Sequence, residues 1–342
     1  MTDNSQSRRQ ILKRTLQGAA ASLPLPFASS LPLGLFSGSA ALAQAATPNV
    51  GFWRELGTLS AEAARLGYPM PRFSATLNAA DSNDFGQVMR STVDLIETVE
   101  FGSPSASAAP IEVERLDRKA HALLRRVTQT ERSPPTDRDG NNSLATVPSR
   151  PTFESIKADY EKLFSSCTIR EKNRSEVAWY VTKLSDPRYQ AKWLAAAQEV
   201  CAPWYFVAII HAMEASFDFN AHLHNGDPLS EKTVQVPAKR PNPWNPPSDW
   251  VSSAKDALTF DGFADQQDWS IARMLYRWES YNGFRSRRNG INTPYLWSFS
   301  NHYAKGKFVA DGVWDPNAVS KQCGAATMLK ALVDKGAVTL PA

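Results

Sequence analysis

The sequence predicts a mainly helical chain with a small β-hairpin or loop lobe. Three observations predict it. Apolar residues recur at three- and four-residue spacing along most of the chain, the period of an amphipathic helix. One run, CAPWYFVAIIHAMEAS (residues 201–216), is apolar on most sides, which marks a buried helix. Behind it, over residues 220–247, turn residues and prolines interrupt the period, and TVQVP (residues 233–237) is the β-like segment.

The first 45 residues read as a signal peptide. SRRQILKR (residues 7–14) is a basic start, a long Ala/Gly/Leu/Pro-rich stretch follows, and A-x-A sites fall at residues 41–43 and 43–45. The pair Arg8–Arg9 resembles a twin-arginine export signal, with Ile11 where that pattern most often has Phe. Pro24, Pro26 and Pro32 break the apolar run and argue against a membrane anchor. The expected location is the periplasm or outside the cell, with no stable membrane anchor after signal cleavage. The signal also explains the charge. The chain has 38 basic and 34 acidic residues, but Arg8, Arg9, Lys13 and Arg14 against Asp3 fall in the first 46. The remainder carries 34 against 33, a net of +1. A nearly neutral body excludes nucleic acid as the main partner, because phosphate binding needs a basic excess. The composition sets no oligomeric state.

Residues 46–132 read as a helical N-terminal region. WRELGTLSAEAARLG lies in a helix over residues 50–66 with Gly67 as its stop. Phe85, Val88, Met89, Ile96 and Val99 mark a second helix, and Ile111, Leu116, Leu123, Leu124 and Val127 a third. Residues 133–150, SPPTDRDGNNSLATVPSR, read as a linker. Nine of the ten tryptophans follow it, so residues 151–336 are the candidate catalytic domain. Phe153, Ile156, Tyr160 and Phe164 open it at helical spacing, and Trp179, Leu184, Tyr189, Trp193 and Leu194 continue it. Pro203 suits the first turn of the buried helix, where its missing N–H costs nothing. Further helices are expected over residues 250–260, 269–281 and 316–334. Cys167, Cys201 and Cys323 allow at most one disulfide. Twin-arginine export carries folded protein, so the fold is expected not to depend on one.

Glu214 is the first candidate for chemistry. It ends the buried apolar helix, and burial favours the proton-bearing form of a carboxyl, as a general acid requires. The alternative is a glutamate that surfaces and caps a loop. His222, His224 and His302, with His211 or Asp227, are of a type that ligates zinc, but H-E-x-x-H is absent and H-x-H beside Asn and Gly is ordinary turn chemistry. No metal and no cofactor is expected. Asp227 follows the turn Asn225–Gly226 and offers a second carboxylate facing Glu214, the pair glycoside cleavage uses; an Asp–Pro turn is the alternative. Aromatics crowd the chain beyond Glu214. Trp244, Tyr295 and Trp297 lie in loops and suit a sugar-binding groove. G-x-S-x-G and a glycine-rich phosphate loop are absent.

Several motifs occur in order. They are PWYFVAIIHAMEASFDFNAHLHNGDPLSEKTVQVP (residues 203–237), YNGF (281–284), TPYLWSFSNHYAKGKF (293–308) and KQCGAA (321–326). Together they resemble a bacterial and phage group of lysozyme-family proteins. The resemblance implies a lysozyme-like α+β fold whose helical domain and small lobe form a cleft for the glycan strands of peptidoglycan. By it Glu214 is the catalytic acid, and Asp227 and Thr233 look like the second-site Asp and Thr of phage muramidases. The Glu214 to Asp227 gap is longer than in those enzymes. E-S-Y-N-G (residues 279–283) is similar to a lytic transglycosylase segment whose Tyr, here Tyr281, lines the cleft. The G-L-M-Q motif of that group is missing, with V-Q-V in its place. Substrate contacts are expected from His224, Asn225, Gln235, Trp244 and Tyr281. Asn282, Tyr295, Trp297, Asn301 and Tyr303 are expected to add to them. The leading expectation is an exported muramidase-type hydrolase. Its rivals are a lytic transglycosylase, a zinc amidase or peptidase, and a non-catalytic peptidoglycan-binding protein.

Overall fold

The computed structural model describes residues 48–69, 85–131, 150–235, 237–244, 249–310 and 313–341. The expected signal peptide and, apart from Arg150, the expected linker lie outside the described residues.

The fold is mainly helical. Three N-terminal helices, α1 (Pro48–Arg65), α2 (Phe85–Phe101) and α3 (Pro110–Glu131), pack on one another. Leu56, Val88, Leu95, Leu116 and Leu123 are fully buried between them, the apolar positions that the helical period picks out. The expected stop after α1 is real. Gly67 has φ +86° and its missing side chain leaves room for Ser105, whose Cβ would lie 2.7 Å from an added Cβ.

The C-terminal part begins with α4 (Phe153–Ser165), capped by Thr152, whose hydroxyl accepts the Ser155 N–H. Next come α5 (Arg174–Leu184) and α6 (Pro187–Gln198). Asp186 caps α6 and Pro187 opens it. The buried run forms α7 (Trp204–Ala215), with Phe206, Val207, Ala208, Ile209 and Ile210 fully buried. Around it lie α6 and the last helix of the chain, Ala325–Asp334. Between them come α8 (Trp250–Phe260), α9 (Ile271–Asn282), the single turns α10 (Arg285–Arg288) and α11 (Pro294–Trp297), and finally α12 (Ala325–Asp334). Phe206 of α7 stacks on Trp278 of α9 at 5.3 Å between ring centres.

Two expectations are corrected. Within TVQVP, Thr233, Val234, Gln235 and Pro237 lie in no strand. The Val234 and Gln235 N–H groups both bind the Asp227 carboxylate, so neither is left for a ladder. The hairpin lies later in the chain, where β1 (Lys307–Ala310) pairs antiparallel with β2 (Val313–Asp315) and Phe308 faces Trp314. The final helix is also shorter than residues 316–334; it starts only at Ala325.

The two regions meet along α2, α5 and α6. Trp179 donates its indole N–H to Asp94 at 3.0 Å, and the Tyr189 hydroxyl donates to Glu97 at 2.9 Å. Lys183, largely buried, lies 2.8 Å from Asp94 and 2.5 Å from Glu97. A buried ammonium needs such partners to stay charged. Cys167, Cys201 and Cys323 are all free thiols. Among the described residues, no helix is long and apolar enough to cross a membrane.

Candidate functional site

Glu214 sits in the last turn of α7, half-buried, and the helix ends one residue later at Ala215. Ser216 (φ 50°) and Phe217 (φ 66°) are both left-handed without being glycine. Each such residue costs on the order of 1 kcal/mol or more and persists only where its surroundings impose it. Burial imposes it here: Phe217 fills the core beside Trp179, Tyr180 and Trp193. The double left-handed turn sends the chain back past the end of α7. His211, inside α7, holds the return. Its Nε2–H donates to the Asp218 carbonyl at 3.1 Å, while Nδ1 accepts the Trp193 indole N–H at 3.1 Å. Burial lowers the His211 pKa to about 4, so the ring is neutral and its two nitrogens keep these opposite roles.

The loop after Asp218 is built by the polar residues of NAHLHNGDPL. The Gly226 N–H reaches the His222 carbonyl at 2.8 Å, and the His222 N–H reaches the Asp227 carbonyl at 2.8 Å. Gly226 takes the positive φ, +76°, that this turn needs. Asp227 is 2% exposed. Its Oδ2 accepts from Asn225 Nδ2 at 3.0 Å and from the Val234 and Gln235 N–H groups, each at 2.9 Å. Thr233 Oγ1 donates to the Pro237 carbonyl at 2.5 Å and accepts the Arg240 N–H at 2.9 Å. These contacts make Asp227 and Thr233, the residues expected to assist Glu214, anchors of the loop: Asp227 Oδ2 is held by Asn225 and two backbone N–H groups, and Thr233 Oγ1 by the backbone at Pro237 and Arg240.

The two loop histidines tie this structure to α8. His222 Nε2–H donates to the Glu231 carbonyl and Nδ1 accepts from Ser253, both at 2.6 Å. His224 Nε2 lies 2.7 Å from Asp256, which also holds Arg240. The His222 nitrogens are thus both used, one by the loop and one by α8, and His302 bonds Ser166 instead of joining them. Tyr281 of α9 pins the loop from the other side, its hydroxyl donating to the Leu223 carbonyl at 2.9 Å. Gln235 and its neighbour Val234 stand out on the exposed edge, Val234 at 75%. Asn282 is exposed just beyond Tyr281.

The decisive contact at the carboxylate comes from α11. The Tyr295 hydroxyl donates to Glu214 Oε1 at 3.0 Å. Gln322 steadies the same helix end by donating to the Met213 carbonyl at 2.9 Å. Gly324 lets α11 approach, since an added Cβ would lie 2.3 Å from the Leu296 carbonyl oxygen.

Glu214 lines a shallow cleft that is continuous with solvent. On one side stand Ala215, Asp218, Ala221, Asn225 and Gly226; on the other, Leu124, Arg125, Thr128 and Gln129 of α3. The helical N-terminal region therefore forms one wall of the site. Sequence reasoning missed this wall and missed Asp218; the only sequence signal for either was the amphipathic period of α3. The wall is fastened at His121. Its Nδ1 lies 2.9 Å from Asp218 Oδ1, as an ion pair rather than an aligned hydrogen bond. Its Nε2 lies 3.3 Å from Asp117 and 3.5 Å from Glu100. Burial works to lower the His121 pKa, but the Asp218 carboxylate, with Asp117 and Glu100, raises it to about 12. Glu100, Asp117 and His121 bring donor atoms within 4.8 Å of one another.

No known protein family, curated protein or solved structure matches this chain.

Four of the residues expected to meet sugars are engaged elsewhere. Trp297 is 1% exposed and Trp244 8%, so neither offers a ring face to a ligand; Trp244 packs on His222. Tyr303 is buried, with its hydroxyl on the Gly306 carbonyl. Asn301 joins the Ser166 carbonyl and the Thr168 N–H. What converges is Glu214, Tyr295, Asn225 and the α3 wall, a proton donor or acceptor beside polar groups in an open cleft.

Proposed function

We propose that this chain is an exported enzyme that cleaves the glycan strand of peptidoglycan between N-acetylmuramic acid and N-acetylglucosamine. One observation carries the reading. A half-buried carboxyl at the end of a buried helix, Glu214, takes a hydrogen bond from Tyr295 at 3.0 Å and opens onto a cleft. The motifs that resemble lysozyme-family proteins surround that carboxyl, and the twin-arginine-like start supports export to where peptidoglycan is. In this reading Glu214 protonates the glycosidic oxygen as the C1–O bond breaks. Tyr295 orients the carboxyl, and Gln235 and Asn282 meet the sugars.

The fate of the developing cation distinguishes two reactions. Hydrolysis of the usual kind needs a second carboxylate to activate water or attack C1. Asp227 is enclosed by its own loop, and Asp218 is neutralised by His121. That favours the lytic transglycosylase reading, which needs one carboxyl only. The C6 hydroxyl of the muramic residue attacks C1, and the Glu214 carboxylate left after the first proton transfer takes the hydroxyl proton. The product is a 1,6-anhydromuramic end, and no water is consumed.

The test is digestion of purified sacculi with the mature protein, with products read by mass spectrometry. Wild type is expected to release muropeptides with anhydro ends, and Glu214→Gln, which keeps the shape and removes the proton, none. Reducing ends would mean hydrolysis. Sacculi bound without any release would assign the fold to binding alone, since fold does not fix activity.

A further inference from the structure

We propose that Arg125 is a carboxylate-binding position that makes this cleft select glycan strands still carrying their stem peptides. The inference rests on the reading of Glu214 as a glycan-cleaving acid and names its substrate more closely. Helix α3 has five Lys or Arg residues, and four of them have carboxylate partners. Arg115 and Lys119 meet Glu62, Arg118 meets Glu114, and Arg126 meets Glu55. Arg125 alone has neither an ion-pair nor a hydrogen-bond partner among the described residues, and it is the one that lines the cleft with Glu214. Thr128 and Gln129, three and four residues on, share its face and line the same cleft.

The charge balance across the cleft points the same way. Glu214 and Asp218 are the acids on the opposite wall; His121 already compensates Asp218, and Glu214 is the proton donor in the proposed reaction. Arg125 is half-buried, so its charge is only partly hydrated. A guanidinium held there presents a fork of N–H donors whose matching ligand is a planar carboxylate. Where a stem peptide is attached, the lactyl carboxyl of the muramic residue is tied up in an amide, so the sugars of a peptide-bearing strand are neutral. The carboxylates of such a strand sit on the stem peptides attached to the muramic residues. A cation on the wall beside the acid therefore reads the peptide, while the opposite loop and Glu214 meet the sugar.

The experiment compares two probes, intact sacculi and glycan strands stripped of peptide by an amidase, with the freed lactyl carboxylates then capped as methylamides. The enzymes are wild type, Arg125→Gln and Arg125→Lys, with KM and kcat measured separately. Wild type is expected to show a KM about tenfold lower on peptide-bearing strands, the scale of one charge-assisted pair. Arg125→Gln is expected to lose that preference through KM with little change in kcat, and Arg125→Lys to keep part of it. An equal preference in wild type and Arg125→Gln overturns the proposal, as does a loss that is the same on both probes. If wild type cleaves neither probe, the cleavage reading fails on its own. Binding of Glu214→Gln and of Glu214→Gln/Arg125→Gln to the two probes then decides the role of Arg125: peptide-dependent binding lost with the arginine supports it, and indifference to peptide overturns it.

Discussion

At Asp227, three donors converge on one oxygen, and two of them are the backbone N–H groups of the exposed Val234 and Gln235. Hydrogen bonds to a charged acceptor contribute about 1.5–3 kcal/mol each in net terms, more than neutral ones. Asp227→Asn keeps the size of the side chain and removes the charge. We expect it to destabilise the protein by about 1–3 kcal/mol and to lower activity without abolishing it. Thermal melting beside a sacculus-digestion assay checks this. Complete loss of activity with an unchanged melting temperature would return Asp227 to the chemistry. Glu214 differs in kind. Its contact with Tyr295 comes from a side chain, and it borders open space, which leaves the carboxyl able to meet a substrate oxygen.

The ends of elements carry the site. Helix α9 brings Tyr281 to the loop, and Glu279, 1% exposed and two residues earlier, fixes that end. Arg287 of α10 holds both Glu279 oxygens, at 2.8 and 2.9 Å, and the Tyr160 hydroxyl of α4 donates to one of them at 2.6 Å. Burial, and then the Glu279 charge, push the Tyr160 pKa far up, so its hydroxyl stays a donor. Removing one partner of a buried pair strands the other, at a cost of about 3–5 kcal/mol. Arg287 is 23% exposed at its side chain, so water recovers part of that. We expect Glu279→Gln to cost about 2–3 kcal/mol, read from the urea midpoint at neutral pH. A change below about 0.5 kcal/mol would mean that the pair is effectively solvated.

Across the whole molecule, the docking of α3 against the Glu214 loop depends on the charge of His121. Its folded pKa, about 12, lies above the ordinary value of 6.5 that it has unfolded. The folded protein therefore binds the proton more tightly. The stabilisation is complete below about pH 6.5, shrinks as pH rises and vanishes above about 12. His121→Gln, compared with wild type by urea unfolding at about pH 6, 8 and 10, is expected to show a stability gap that narrows with pH. A gap independent of pH would mean that His121 acts as a neutral hydrogen-bonding ring. Burial of His211 acts in the opposite sense: its lowered pKa withdraws stability as pH falls from 6.5 towards 4.

By itself the sequence determined the mainly helical class, the N-terminal helices, the stop at Gly67, the buried helix ending at Glu214 and the turn at Asn225–Gly226. Each rests on local physics: a hydrophobic period, a cap, or a backbone conformation that few residues accept. Tertiary structure alone decided which polar residues face the cleft and which face their own backbone. Asp227 and Thr233 have the right chemistry for catalysis, and only the fold directs that chemistry inward to the loop. Trp244, Trp297 and Tyr303 are amphipathic, so composition admits both groove and core, and packing chose the core. The hairpin went to residues 307–315 because a strand requires a paired neighbour, which no single segment specifies. The α3 wall was hidden for the same reason. About ninety residues separate Arg125 and Glu214 in the chain, and only the packing of α3 against the loop makes them neighbours.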